Sequence, residues 1–212
     1  TISEIILKML LNMEIGTNWQ TSCIMKNIAI IIGNGKSREE IDLNTLVGQG
    51  TIYGCNALYR DFDGWDYLVA IDERMINEIK TTEKRLPGQA IFPPENERYE
   101  ETTGRRGNAG MNAMKEAIRN GADTLYCLGF DFILQGKTSV DNVYLNSKNY
   151  EPETQAGLME AGYHRLQYLE WFANQNAGVK FVFVIPDNGQ VKPIDAENLV
   201  GMRMSTFIKK TK

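Results

Sequence analysis

The 212-residue chain holds one histidine, His164, which excludes a metal site built on two imidazoles and confines any Ser-His-Asp arrangement to that residue. Its three cysteines, Cys23, Cys55 and Cys127, are far apart and form no C-x-x-C pair. That spacing excludes a zinc ribbon and a disulfide framework and leaves reduced, mostly buried thiols, so no metal site is predicted. Long hydrophobic runs are also missing. The longest, Ile5 to Leu11, is broken by Lys8 and falls short of the roughly 18 residues that a spanning helix needs. The expectation is a soluble, cytoplasmic chain with no membrane span. An excess of basic charge is absent too: the net charge is -4 and the pI about 5.2. General nucleic-acid binding, which works by displacing counterions from phosphates, is therefore not expected.

What is present is 42% hydrophobic and 24% charged residues of mixed sign, the balance of one globular domain with a substantial core. "MKNIAIIIGNG" from Met25 reads as a natural start that enters a strand directly. Residues 25–212 are accordingly expected to form a single α/β domain. Residues 1–24 read as an extension: a tag, upstream translation or an accessory amphipathic helix carrying Ile5, Ile6, Leu10 and Leu11 at helical spacing.

Asn27 to Ile32 is a β-branched run without polar alternation, the pattern of a central strand buried on both faces. Ser37 and Glu40 make an S-x-x-E capping box, which predicts a helix from near Arg38 to before Gly48. Short strands follow at "TIYGCNAL", "DYLVAIDE", "QAIFP", "TLYCLGFD" and "VKFVFVIP", with helices at Glu73–Ile79, Ala109–Asn120 and Glu153–Asn174. About six strands alternating with helices predict an open, mainly parallel α/β sheet of Rossmann-like type. Two polar stretches, 93–107 and 135–152, leave strand ends, where such sheets bind ligands, and read as binding loops.

Candidate site residues gather at these strand ends. Gly33 and Gly35 would let backbone approach a ligand, and Asn34 adds an amide; at a helix N-terminus this favours a phosphate. The alternative is a tight strand-to-helix turn. A Walker A loop would need glycine at Ile30, and a dinucleotide fingerprint would need it at Arg38, so neither motif is present. Asn56 could contact a sugar. Asp72 could accept from hydroxyls or cap the following helix. Arg105 and Arg106 precede a small-residue helix start where a guanidinium and helix N–H groups could meet a phosphate, unless they are a solvated pair. Gly129 and Asp131 lie at a further strand end. His164 suits a general base near neutrality but starts the apolar stripe Leu166, Leu169 and Phe172, which also fits a packing role.

Taken in order, "GNGKSREEIDLNTL", "YGCNALYRD", "RRGNAGMNAMKEAIRNGADTLYCLGFDF" and the tyrosine-bearing loop before a histidine and "FVFVIPDN" resemble the bacterial lipooligosaccharide sialyltransferases and DUF115-like proteins sharing their nucleotide-binding half. The resemblance covers about Lys26 to Asn188. It implies a metal-independent glycosyltransferase, with no cofactor but a CMP-type nucleotide-sugar cosubstrate and a glycan or small-molecule acceptor. Gly33, Asn34 and Gly35 would cradle the donor phosphate, Asn56 would contact phosphate or sugar, and Asp72 would stand where the family has asparagine. Gly129 and Asp131 would lie against base and ribose. Arg106 falls on the active-site arginine, Tyr144 and Tyr150 would donate phenols to the departing phosphate, and His164 would deprotonate the acceptor.

The chain departs from the family at Ala109, where a serine is expected, at Ile133, at Asp72, and in the short spacing between His164 and its helix. Two other functions fit these residues: an ATP- and magnesium-dependent pyrophosphokinase with Asp72 and Asp131 as metal ligands, and a non-catalytic nucleotide-binding or assembly protein. Family members often form homo-oligomers, which nothing in this sequence reads out directly.

Overall fold

The computed structural model describes residues 27–100, 105–137, 142–152 and 161–211, with backbone alone at 99–100, 105–106 and 161–163. Seven strands form one sheet: β1 (Ile28–Ile32), β2 (Thr51–Cys55), β3 (Tyr67–Val69), β4 (Gln89–Ile91), β7 (Thr124–Leu128), β8 (Lys180–Ile185) and β9 (Leu199–Arg203). Their order is β4-β3-β2-β1-β7-β8-β9, and every neighbouring pair is parallel. β5 (Tyr99–Glu100) and β6 (Arg105–Arg106) make a separate antiparallel ribbon inside the first polar stretch. The helices are α1 (Glu73–Thr81), α2 (Ala109–Arg119), α3 (Ala161–Gln175) and α4 (Met204–Lys210). Among the described residues no helix is long and apolar enough to cross a membrane.

The central strand does what its composition predicts. Ala29 and Ile31 enter a core with α2 and α3 on one face of the sheet, while Ile30 and Ile32 enter a second core with α1 and α4 on the other. Each of these isoleucines is 1% exposed or less, so each contributes about 1.5–3 kcal/mol of burial. Chain order reverses direction between β1 and β7, which makes their C-terminal ends the switch point where open α/β sheets leave a crevice.

Two expectations change. The helix predicted from Arg38 to Gly48 is replaced by short 3-10 turns at Lys36–Glu40 and Leu43–Leu46. No capping box forms, because the Ser37 hydroxyl donates to the distant Asp131 carboxylate instead. The seventh strand, β9, carries Gly201 and has only half-buried and exposed positions at a sheet edge, so it lacks the apolar run that marks its neighbours. Of the segment predicted as a helix from Glu153 to Asn174, residues 153–160 lie outside the described residues, and the remainder coincides with α3.

Candidate functional site

The loops leaving β1 and β7 are knotted together at the switch point. Gly33 N–H donates to Leu128 O at 2.8 Å and Gly35 N–H to Gly129 O at 2.9 Å. A Cβ on Gly33 would stand 2.5 Å from Gly129 O, and one on Gly35 would strike both Gly129 O, at 2.7 Å, and the Asp131 carboxylate. Gly129 itself sits at φ +70, a conformation that favours glycine. Asp131, 5% exposed, accepts from Ser37 N–H at 3.1 Å and from the Ser37 hydroxyl.

The phosphate-cradle expectation for Gly33, Asn34 and Gly35 meets a closely packed turn. The peptide hydrogens of residues 33, 35 and 37 already have protein acceptors, and the anion at this turn is the chain's own Asp131 carboxylate. The glycines serve close packing of two loops. Asp131, expected against base and ribose, here accepts twice from Ser37.

Asn34 is used differently from its glycine neighbours. Its backbone carbonyl accepts from Val143 N–H at 2.9 Å, docking the 142–150 loop, and its amide donates to the Tyr150 hydroxyl at 2.9 Å. Asn56, at φ +51, opens the 3-10 turn that follows β2. The side-chain carbonyl oxygens of Asn34 and Asn56 are both buried and have no hydrogen-bond partner among the described residues. Buried acceptors are paired in most native proteins, so two at one sheet end call for an explanation. Burial pushes the Tyr150 phenol well above its ordinary range and Asp72 adds to this, while Arg60 and the Asn56 amide act in the opposite sense. Tyr150 therefore stays protonated near neutrality, with a proton to donate.

Tyr144 is committed elsewhere. Its hydroxyl accepts from Arg38 Nη2 at 2.6 Å and donates to Asp61 Oδ1 at 2.5 Å, and Arg38 also pairs with Asp61 at 3.1 Å. Burial, more than the Asp61 carboxylate, holds its phenol far above the ordinary range, with Arg38 opposing. Arg38 is 2% exposed, stacks on the Tyr144 ring at 5.2 Å and keeps Nη1 without a partner among the described residues.

A second guanidinium anchors the same loop. Arg60 pairs bidentately with Glu78, at 2.8 Å through Nε and 2.8 Å through Nη2. It also donates to Ser147 Oγ and to Lys148 O, and its plane lies over both tyrosine rings. Burial pushes the Glu78 carboxyl up, but hydrogen bonds from Tyr59 and Arg60 more than reverse this and leave it below its ordinary value. Sequence reasoning missed Arg38, Asp61, Arg60 and Glu78, since each looks like an ordinary surface charge; the pairing spans up to 106 residues and leaves no local trace.

The remaining predicted residues lie around this cluster. Asp72 precedes α1, but its side chain makes no cap bond, so the capping role does not apply. It is exposed, and its charge acts on both Tyr150 and Arg165. Arg165 is half-buried on α3; burial pulls its pKa down while Asp72 opposes, and no hydrogen bond or ion pair to a described residue engages its guanidinium. His164, one residue before it, is exposed. Arg106 has its backbone paired with Tyr99 in the β5–β6 ribbon, and its side chain lies outside the described residues. Asn108 caps α2 by accepting from Met111 N–H at 2.9 Å. Among the described residues no three His, Cys, Asp or Glu side chains group to hold a metal ion.

The chain thus belongs by architecture to the open parallel α/β proteins, with a polar cluster of Asn34, Asn56 and Tyr150 at the switch point. Comparison with protein-family models, with curated proteins and with solved structures gives no match.

Proposed function

We propose that the chain is a metal-independent glycosyltransferase that binds a CMP-type nucleotide-sugar at the switch point and transfers the sugar to an acceptor hydroxyl. One observation carries this reading: Asn34, Asn56 and Tyr150 meet where β1 and β2 end, with two unpartnered carbonyl acceptors and one phenol proton on offer. Ribose hydroxyls and a base amino group would supply the donors those carbonyls lack. Tyr150 would donate to the departing phosphate, and Arg165 would balance its charge. The acceptor oxygen attacks the anomeric carbon, the carbon–phosphate oxygen bond breaks, and the nucleotide leaves with the electron pair as His164 takes the acceptor proton. Arg106 is assigned to the same centre by the family resemblance. Tyr144 positions the loop and is not placed on the phosphate.

A second reading, a nucleotide-binding or assembly protein without catalysis, is favoured by the internal engagement of Tyr144 and Asp131. The pyrophosphokinase reading needs Asp131 as a magnesium ligand, and Ser37 already occupies that carboxylate. The test is incubation of purified protein with CMP-sialic acid, following CMP release and sugar transfer, together with thermal shift by CMP, UMP, GDP-sugar and ATP with and without magnesium. Stabilisation by CMP and turnover of the donor support the transferase. The absence of hydrolysis, of transfer and of any shift overturns it. Binding without turnover, unchanged in His164→Ala, supports the second reading, and a shift by ATP only with magnesium supports the pyrophosphokinase.

A further inference from the structure

The end of the sheet opposite the switch point carries a cleft of about 540 Å³, which lies between the starts of β1, β2 and β3 and the end of α2. Thr51 lines it at the first residue of β2, and Asn56 follows the last, so the two sites stand about 16 Å apart at roughly 3.3 Å per strand residue. Its polar lining is Asn27, Gln49, Thr51, Tyr53, Tyr67 and Asn120, and no lining residue is charged.

The hydrogen-bonding capacity of this lining is only partly used. Asn120 Nδ2 donates to the Tyr53 hydroxyl at 2.9 Å, and Asn27 Nδ2 donates to Gly121 O at 3.1 Å, leaving the Asn27 carbonyl oxygen as an acceptor. No hydrogen bond to a described residue engages the side chains of Gln49 or Thr51. The Tyr67 ring, half-buried, stacks at 4.9 Å and 17° on Tyr53, which is 1% exposed and belongs to the core, so Tyr67 is the aromatic side chain the cleft presents. An anion would find no cationic side chain in the lining. A cation would find no carboxylate in the lining. Amides, a hydroxyl and one half-buried tyrosine, without charge, suit a ligand that presents many hydroxyls and apolar C–H faces.

We propose that this cleft is a separate binding site for a neutral mono- or disaccharide. Its volume falls in the range of small-ligand sites, about 300–1,000 Å³. The proposal does not depend on the function assigned to the switch point. The test is an NMR titration of the isotope-labelled full chain with N-acetylglucosamine, galactose and lactose, with N-acetylneuraminic acid as the anionic control. At least one neutral sugar is expected to saturate in the millimolar range, shifting the amides of Gln49 to Tyr53 and the Asn120 side chain while leaving Asn34 and Asn56 unmoved. Gln49→Ala and Thr51→Val alter exposed positions and should each weaken binding about fivefold while preserving the spectrum of the folded chain. The proposal is overturned if no neutral sugar saturates below about 50 mM, a dissociation constant too weak for a formed site. Shifts that map away from the cleft, equal binding of the anion, or wild-type affinity in both variants overturn it as well.

Discussion

Replacing Asp131 by Asn keeps the shape of the side chain and removes its charge, which isolates what the carboxylate does at the Gly33–Ser37 turn. In the native chain it accepts two hydrogen bonds from Ser37, one from the peptide N–H and one from the hydroxyl, in a site only 5% exposed. Bonds to a charged acceptor contribute about 1.5–3 kcal/mol each, against about 1 for neutral ones. An amide can accept from one of the two donors and turns its own NH₂ toward the other. The expected loss is about 3 kcal/mol, and since a domain of this size shifts by about 2–4 °C per kcal/mol, the melting temperature should fall by about 6–12 °C. Urea denaturation followed by tryptophan fluorescence measures it. A double-mutant cycle with Ser37→Ala should return a coupling of at least about 1 kcal/mol, because both changes remove the same contacts. A loss below about 1 kcal/mol with no coupling would refute the claim that Asp131 is the anion this turn was built around.

Tyr144→Phe removes the hydroxyl shared by Arg38 and Asp61 and should cost about 2 kcal/mol in urea denaturation, without altering affinity for CMP if the phenol serves only to hold the loop. Glu78 has a folded pKa below its ordinary 4.5, so its stabilisation is complete above that value and is lost as pH falls through the lower folded one. Urea midpoints between about pH 7 and pH 3 should therefore drop more steeply at the acid end in the native chain than in Glu78→Gln. Arg165→Gln should leave the midpoint within about 0.5 kcal/mol, as its guanidinium has no hydrogen bond or ion pair to a described residue, while weakening CMP at least about tenfold by isothermal titration.

The parallel sheet was legible because β1 and its neighbours are short apolar runs bounded by glycine and polar exits, a pattern set by burial on both faces. Strand β9 was not, since an edge strand needs only one partner and carries no such run. At the site, the sequence placed Asn34, Asn56 and Tyr150 at strand ends and loops, but not their meeting. It did not show the packing of Gly33, Gly35 and Asp131, because a glycine turn that packs against a neighbouring loop and one that cradles a phosphate have the same local composition. The packing is carried by contacts far apart in sequence, Gly33 with Leu128, Gly35 with Gly129 and Ser37 with Asp131. Arg38 shows the same effect: beside Ser37 and Glu39 it reads as a solvated helix residue, whereas Asp61 and Tyr144 bury it.

A crystal structure of the chain with bound CMP is the most direct test of a ligand site at the switch point. The nucleotide should lie across the ends of β1 and β2, with its donors about 2.7–3.2 Å from the Asn34 and Asn56 carbonyl oxygens and its phosphate beside Tyr150 and Arg165, while Asp131 stays on Ser37. A nucleotide bound elsewhere, or a phosphate that displaces Asp131 and takes the peptide hydrogens of the Gly33–Ser37 turn, would contradict it.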